Sequence, residues 1–274
     1  MGTAFSRCIA YTAFHPPTTA SYSEDDVHFV TLGDKTTRIA VWMATPPHGT
    51  DTLSNYASKT PLLIYSHGNA EDIGCVSQYC TLLAEDLGIN VLTYDYINYG
   101  QSSPGVTNET NLRWAADAVY DFAFDKLRAS HVTLMGRSIG SAPAVYLAST
   151  RDKHSSLVLI SPLASGARTL RVSGMIPARM LVALDDVFCP SVESISRVQC
   201  PVLIIHGNQD SVVPVQNAYD LYNATPSRFR RSPLFLGTAA TPVGHNDLEE
   251  KHSQRIITAI HSFIDDANCA DLDE

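Results

Sequence analysis

The sequence predicts an α/β fold in which a mostly parallel sheet follows an antiparallel N-terminal hairpin and carries helices on both faces. Two observations predict it. Short apolar runs of strand length alternate along most of the chain with segments of helix length. A glycine-flanked serine, Gly136-Arg137-Ser138-Ile139-Gly140, also stands where one apolar run gives way to a helical pattern.

The strand and helix patterns follow one another regularly. The strand-like runs are Val27–Leu32, Arg38–Met43, Leu62–Tyr65, Val91–Tyr94, Val132–Met135, Leu157–Ile160, Val202–Ile205 and Leu234–Leu236. The first two are joined by a turn that contains Gly33, which predicts a hairpin. The helix-length segments are 75–87, 110–129, 140–149, 215–224 and 246–265. In the second of these, helical spacing predicts a buried stripe of Leu112, Ala115, Ala116, Val119, Phe122 and Ala123.

These elements predict one α/β domain with short flanking segments. We expect a polar N-terminal lead-in over residues 1–26, the domain over 27–265 with a short cap segment near 165–190, and an acidic tail over 266–274. The six cysteines form no CxxC pair, so reduced thiols are expected. Residues 1–17 lack the pattern of a secretory signal.

The composition is that of a folded, acidic chain. Of its 274 residues 45% are hydrophobic and 17% are charged, and the formal net charge is −9 at pH 7. This balance of apolar and charged residues excludes disorder. Folding of a chain this long buries roughly 75% of the unfolded surface, which leaves room for a core. An acidic chain gains nothing from releasing phosphate counterions, and we expect no nucleic-acid partner. No apolar run approaches the roughly 18 residues of a membrane span.

The N-terminus carries a pattern for lipid attachment. Gly2 and Ser6 fit the signal for N-myristoylation, and Cys8 is placed to accept a second acyl chain. One myristoyl chain binds membranes only marginally, so stable anchoring needs both sites. Alternatively the pattern arises by chance, because it constrains only two positions beyond the initiator. With both sites acylated we expect a peripheral protein on the cytoplasmic side of membranes, and otherwise a cytoplasmic one.

Three residues at predicted strand ends form a candidate catalytic triad. Ser138 projects from the glycine-rich turn after Val132–Met135, Asp210 lies in the loop after Val202–Ile205, and His245 follows the last strand. A serine nucleophile needs a base, and the base needs a group that orients it. The order Ser, Asp, His is that of the α/β-hydrolases.

Other residues compete for these roles. Asp185 or Asp186 could orient His245 in place of Asp210, whereas Asp247 is too close to His245 in sequence and Asp95 is expected to be structural. The Asp210 assignment is preferred because of its loop position.

The backbone N–H groups of Ile139 and Asn69 are the predicted oxyanion hole. Ile139 follows the nucleophile, and Asn69 lies in the loop after the third strand, where Gly68 allows a close backbone approach. His67, His206 and His245 could together suggest a metal. Because no HExxH pattern or carboxylate cluster accompanies them, we predict no metal site and no cofactor.

The motifs as a whole resemble the α/β-hydrolase domain-containing 17 family and, more widely, the Bem46-like hydrolases. The runs that carry the resemblance are LIYSHGNAEDIG (63–74), TYDYINYGQSS (93–103), GRSIGSAPAVYLAS (136–149), LISPLASGARTL (159–170), CPVLIIHGNQD (200–210) and GHNDLE (244–249). The resemblance implies an α/β-hydrolase fold and a membrane-anchored serine hydrolase that removes palmitate from cysteines of other proteins. It implies the nucleophile at Ser138, the acid at Asp210 and the base at His245.

Four features depart from the family pattern. The N-terminus has Cys8 alone instead of a cysteine cluster, and Ile97-Asn98 stands where the family has a glycine, although Asn tolerates a left-handed backbone. Arg137 stands where the family typically has Gln, and the stretch 237–243 is a few residues longer. The last two touch the predicted site and bear on substrate range.

Three functions remain open from the sequence. The first is a protein depalmitoylase, a thioesterase acting on acylated proteins at membranes. The second is a general carboxylesterase or lipase acting on acyl esters. The third is a non-catalytic α/β-hydrolase binding protein, which the complete Ser138, Asp210 and His245 set disfavours. A monomer is expected.

Overall fold

The computed structural model describes residues 13–47, 49, 52–53, 60–166 and 189–270. Residues 268–270 are described by their backbone only. The chain divides into two units, Met1–Val132 and Thr133–Glu274. The lipidation candidates Gly2 and Cys8, the alternative acids Asp185 and Asp186, and most of the predicted cap segment lie outside the described residues.

The first unit carries the hairpin and two parallel strands. Its strands are β1 (His28–Thr31), β2 (Arg38–Ala44), β3 (Leu62–Ser66) and β4 (Asn90–Tyr94), in the spatial order β1-β2-β4-β3. β2 pairs antiparallel with both β1 and β4, and β3 pairs parallel with β4. Every residue of β3 and β4 is buried, as is typical of parallel strands covered on both sides.

Two helices of the first unit start at side-chain caps. Helix α1 (Ile73–Leu87) begins after Asp72, whose carboxylate accepts the Cys75 N–H at 3.1 Å, and ends at Gly88 in the left-handed conformation. Helix α2 (Glu109–Asp121) begins after Asn108 and continues as a π-helix over Phe122–Lys126.

Two buried carboxylates hold the described part of the N-terminal lead-in against the rest of the first unit. Asp72 accepts the Ser21 N–H at 2.7 Å and also binds the Ser21 hydroxyl. Asp95 accepts the Tyr22 hydroxyl and, at 2.9 Å, the Ile73 N–H. Burial and the Asp95 charge raise the pKa of Tyr22 well above its usual range, so this phenol remains a proton donor. The Asp95 carboxylate therefore joins segments of the first unit that are distant in sequence.

The second unit is an all-parallel set of strands. These are β5 (Val132–Arg137), β6 (Ser156–Ile160), β7 (Val202–Gly207) and β8 (Leu234–Leu236), in the order β5-β6-β7-β8. Consecutive strands pair in parallel. The helices are α3 (Ser141–Thr150), α4 (Ser191–Ile195), α5 (Gln216–Ala224) and α6 (Leu248–Ala270). The carboxyl ends of these strands therefore lie at one edge, where ligands bind in such sheets.

The predicted fold class is confirmed: mostly parallel strands follow an antiparallel hairpin and alternate with helices. The predicted stripe of α2 is buried except for Phe122, which begins the π-helix and is half-exposed. Asn98 adopts φ +73°, the left-handed conformation that asparagine tolerates. Within the described residues, no helix combines the length and the apolar character needed to cross a bilayer.

Candidate active site

Ser138 occupies a strained turn between β5 and α3. β5 ends at Arg137, and a 3₁₀ turn over Ser138–Gly140 leads directly into the helix. The φ of Ser138 is +52°, in the left-handed region that costs a non-glycine residue roughly 1–3 kcal/mol. A side chain at Gly136 would lie 2.4 Å from the carbonyl oxygen of Gly140, so only glycine permits this close approach. The turn aims the serine side chain away from regular structure.

Ser141 fixes the turn from its far side. Its hydroxyl donates to the carbonyl oxygen of Ser138 at 2.6 Å and accepts the N–H of Leu163 at 3.0 Å. Leu163 lies just beyond β6, so the turn after one strand is braced by the loop after the next. The Ser141 side chain is fully buried, and both its donor and its acceptor capacity are used.

The structure brings Ser138, His245 and Asp210 together in a continuous hydrogen-bonded chain. Nε2 of His245 lies 2.9 Å from Oγ of Ser138, and Nδ1 lies 2.6 Å from Oδ2 of Asp210. Because a carboxylate only accepts, Nδ1 carries the proton and Nε2 accepts the serine hydroxyl. All three residues are less than a tenth exposed. This geometry allows proton transfer from the serine to the imidazole.

Asp210 is held as an anion by several donors. Its Oδ1 accepts the N–H groups of Val212 at 2.9 Å and Val213 at 2.7 Å. Burial alone would raise the pKa of this carboxyl. The hydrogen bonds from His206, His245 and Val213 outweigh burial and hold the pKa of Asp210 well below its usual range. The residue that orients the imidazole is therefore charged at neutral pH.

His206, the last residue but one of β7, is a fully buried neighbour of Asp210. Its Nε2 lies 2.8 Å from the Val213 carbonyl oxygen and 3.4 Å from Oδ2 of Asp210. Since the shorter contact is to a carbonyl, Nε2–H donates mainly there and only secondarily to the carboxylate. Nδ1 has no hydrogen-bond partner within the described part of the chain. Sequence reasoning considered His206 only as part of a possible metal group and missed this contact.

The loops that carry Asp210 and His245 are bonded to each other. The Gln209 N–H donates to the Val243 carbonyl oxygen at 2.9 Å, and the Val243 N–H donates to Oδ1 of Asn208 at 3.1 Å. A side chain at Gly207 would lie 2.5 Å from that same Val243 carbonyl oxygen. These hydrogen bonds connect the loop that carries Asp210 to the loop that carries His245.

The stretch 237–243 before His245 closes on itself. The Thr238 N–H donates to the Thr241 carbonyl oxygen at 2.9 Å, and the Thr241 N–H donates to the Thr238 hydroxyl at 3.0 Å. The residues of this turn from 239 to 242 are exposed. This stretch therefore forms a self-contained surface turn.

Arg137 ties the nucleophile segment to the histidine segment. Its Nε donates to Oε1 of Glu249 at 2.6 Å, and Nη2 donates to the carbonyl oxygen of His245 at 3.1 Å. The two side chains are 12% and 18% exposed, so this ion pair is poorly screened. Glu249 lies in the first turn of α6. Sequence reasoning noted Arg137 only as a departure from the family pattern and missed its partner.

The remaining predicted residues separate into two groups. Asp247 does not bond His245; its carboxylate accepts the Gly244 N–H at 2.6 Å and pairs with Lys251. Ile139 lies in the turn after Ser138, and Asn69 lies in the first unit. That their backbone N–H groups together form the oxyanion hole remains a prediction. Oδ1 of Asn69 accepts the His15 N–H at 2.9 Å and the Tyr99 hydroxyl at 2.7 Å.

The other histidine considered for a metal, His67, is engaged within the first unit. Its Nδ1 lies 2.8 Å from the Gly68 carbonyl oxygen, and its Nε2 lies 3.2 Å from Oδ1 of Asp95. Burial lowers the pKa of His67, but Asp95 outweighs that effect and the pKa is raised. Among the side chains that the structure describes, no group of three or more His, Cys, Asp or Glu residues is arranged to hold a metal ion.

Comparison with known proteins identifies the family of the fold. Residues 61–187 match the model of the alpha/beta hydrolase fold family. The chain is 36% identical over 205 residues to the alpha/beta hydrolase domain-containing protein aho-3 of Caenorhabditis elegans. This match covers 74% of this chain and 57% of that protein. It is 37% identical over 189 residues to the human alpha/beta hydrolase domain-containing protein 17C, covering 68% and 53% respectively. The chain thus spans little more than half of these relatives.

Solved structures share the fold at low sequence identity. The Pyrococcus furiosus esterase Pf2001 superposes with a TM-score of 0.67 at 15% identity, covering 91% of this chain and 95% of that one. Mouse alpha/beta hydrolase domain-containing protein 10 gives 0.64 at 17% identity, covering 88% and 98%. At these identities the likeness concerns the fold alone.

Proposed function

The chain belongs to the α/β-hydrolase superfamily, and from this premise we propose that it is a serine hydrolase that uses Ser138, His245 and Asp210. The observation that carries the proposal is the hydrogen-bonded chain from Oγ of Ser138 through both nitrogens of His245 to the carboxylate of Asp210. These are the three roles that acyl transfer by a serine requires: nucleophile, general base and orienting anion.

In the proposed reaction His245 takes the hydroxyl proton of Ser138 while Oγ attacks the carbonyl carbon of an acyl substrate. Asp210 stabilises the imidazolium that forms. The N–H of Ile139, with that of Asn69 as the proposed second donor, binds the oxyanion. Collapse of the tetrahedral intermediate expels the leaving group and leaves an acyl-serine. Water, deprotonated by His245, then attacks this ester and releases the carboxylic acid.

For the substrate we propose fatty-acyl thioesters, specifically palmitate on cysteines of membrane-associated proteins. Support comes from the resemblance to the α/β-hydrolase domain-containing 17 family, which extends over the strand-end motifs that supply all three site residues. A thioester also suits the site because a thiolate leaves without the proton that an amine needs. The same residues can cleave oxygen esters, so a general esterase is the competing function.

The experiment compares leaving groups on one acyl chain. Two peptides of identical sequence carry palmitate on cysteine or on serine, and p-nitrophenyl acetate serves as a small ester. Wild type is measured beside Ser138→Ala and the matched control Ser149→Ala. Ser149 lies in α3, and its hydroxyl donates to the Tyr146 carbonyl oxygen in the same helix. We expect thioester cleavage by wild type and Ser149→Ala but not by Ser138→Ala. If only the oxygen esters are cleaved, the esterase function replaces the proposed thioesterase function. If no substrate is turned over, the proposal of a hydrolase is contradicted.

We also propose that Gly2 and Cys8 are acylated and attach the protein to the cytoplasmic face of membranes. Support comes from the pattern Gly2…Ser6 with Cys8 two residues later. Metabolic labelling with alkynyl myristate and alkynyl palmitate tests it. We expect Gly2→Ala to lose the myristate label and Cys8→Ser to lose only the palmitate label. A wild-type protein that takes up neither label would contradict the proposal.

A further inference from the structure

A groove in the first unit is lined by none of the residues of the proposed triad. It encloses about 860 Å³ between the hairpin strand β1 with its following turn and one face of α2 with the π-helix that extends it. The helix contributes positions 114, 117, 118, 121, 122, 125 and 126, which are spaced as one continuous stripe. The other wall is the continuous run 29–34.

The helix wall carries a row of apolar side chains, one of which is strongly exposed. Trp114, Ala118 and Phe122 follow one another at four-residue intervals, and Trp114 is 52% exposed. Phe122, which the sequence pattern assigned to the core, is only half-buried because it faces this groove. Exposed apolar side chains rimmed by polar residues are a feature of interaction surfaces. The π-helix at its end is a rare conformation that is frequent at functional sites.

Carboxylates alternate with the apolar side chains on the same wall. Asp117, Asp121 and Asp125 also stand at four-residue intervals, and Asp34 adds a fourth carboxylate from the turn opposite. Lys126 is the single cation among the described lining residues. The groove therefore presents both apolar side chains and carboxylates.

On the opposite wall, the outward-facing backbone groups of β1 pair with no other strand among the described residues. β1 stands at the end of the strand order, and its only described strand partner is β2. The Leu32 N–H donates to the Thr37 carbonyl oxygen at 2.9 Å, so Leu32 and Val30 face β2 and the N–H and C=O groups of Phe29 and Thr31 point outward. Successive residues of β1 line the groove, even though the side chains of successive strand residues point to opposite faces of the sheet. The groove therefore runs along the strand edge itself.

We propose that this groove binds an extended basic segment of a partner protein as an additional strand on β1. Main-chain hydrogen bonds to Phe29 and Thr31 provide the pairing, as in other cases of strand addition. Alternate apolar side chains of the segment pack on Trp114 and Phe122, and its lysines or arginines meet Asp117, Asp121 and Asp125. An anionic lipid surface is disfavoured as the occupant because the carboxylates repel it. The proposal does not depend on the hydrolase activity.

The test uses a fluorescein-labelled nonapeptide of alternating lysine and valine, with a glutamate–valine peptide as the charge control. Fluorescence anisotropy measures binding to wild type, Trp114→Ala, the double variant Asp117→Asn/Asp121→Asn, and the matched double variant Glu85→Gln/Asp86→Asn. Glu85 and Asp86 are exposed on α1, and their replacement removes the same charge elsewhere. We expect the first two variants to bind the lysine peptide about tenfold more weakly and the matched variant to bind as wild type does.

Hydrogen exchange of the full chain locates the peptide. We expect the amides of Phe29 and Thr31 to exchange more slowly when the lysine peptide is bound. Equal weakening by both double variants, or binding without slower exchange in β1, would overturn the proposal. The proposal would also be overturned if vesicles of phosphatidylcholine and phosphatidylserine bind the protein in a Trp114-dependent way and the lysine peptide does not bind.

Discussion

Arg137 and His245 are joined by a hydrogen bond in which Nη2 of the arginine donates to the backbone carbonyl oxygen of the histidine at 3.1 Å. The same guanidinium donates to Glu249, so the residue directly before Ser138 fixes both the His245 loop and the first turn of α6. Arg137 thus acts as a positioning residue for the distance between the serine and the imidazole.

Loss of this link is expected to reduce turnover more than substrate binding. Arg137→Met keeps the aliphatic stem and removes every donor, and it should lower kcat by about 10–100-fold, because small displacements of catalytic groups have effects of this size. KM should change little. Arg137→Gln, the residue typical of the family, retains one amide donor and should lose less. A proportional rise in KM with unchanged kcat would assign Arg137 to substrate binding instead.

Asp210 is predicted to be the acid of the triad. Asp210→Asn removes the charge that orients the imidazole and should lower kcat about 10⁴-fold, the scale seen when a triad carboxylate becomes an amide. Asp247→Asn, beside the same histidine in sequence but bonded to Gly244 and Lys251, should retain most activity. Asp186→Asn is the second comparison. Loss of turnover in that variant with activity kept in Asp210→Asn would reverse the assignment.

Asp210 should also stabilise the fold in a pH-dependent way. Its pKa is lower in the folded chain than the ordinary value of 3.8, so below that value the unfolded chain binds a proton that the folded chain does not. The stabilisation is present above the unfolded pKa and is lost as the pH falls toward the folded one. Urea titrations of wild type and Asp210→Asn should therefore give a difference in unfolding free energy that shrinks between pH 5 and pH 3, values chosen to bracket roughly the ordinary pKa of an aspartate. A constant difference would contradict this role.

The close approach at Gly136 predicts a steric cost for any side chain there. Gly136→Ala places a carbon 2.4 Å from the Gly140 carbonyl oxygen and should destabilise the chain by about 1–3 kcal/mol while slowing modification of Ser138. Gly33→Ala meets no atom within 4 Å and should leave both quantities near wild type. Thermal unfolding and fluorophosphonate labelling measure the two effects. Wild-type behaviour of Gly136→Ala would show that the turn is not so tightly packed.

The sequence predicts much of the fold because its elements are strongly patterned. Each predicted strand is present with its boundaries shifted by a few residues, and Ser138, Asp210 and His245 each follow such a strand within a glycine-containing segment. Helix α4 (Ser191–Ile195) was not predicted, since five residues are too few for a helical period to be recognised.

What sequence patterns miss are partners that meet only after folding. The Arg137–Glu249 bond joins residues 112 positions apart, and Asp95 reaches Tyr22 across 73 positions. Nothing local distinguishes these charged side chains from solvated ones. Phe122 shows the complementary limit: helical spacing identifies the face on which it lies, but not that this face opens into a groove.

The most direct measurement of the central claim is the identification of the residue that a fluorophosphonate modifies. Trypsin cleavage after Arg137 and Arg151 releases one peptide, Ser138–Arg151, in which tandem mass spectrometry separates Ser138 from Ser141 and Ser149. We predict a single adduct on Ser138 that His245→Ala abolishes, because the imidazole 2.9 Å away activates the hydroxyl. An adduct on another serine, or none on the folded protein, would contradict the account.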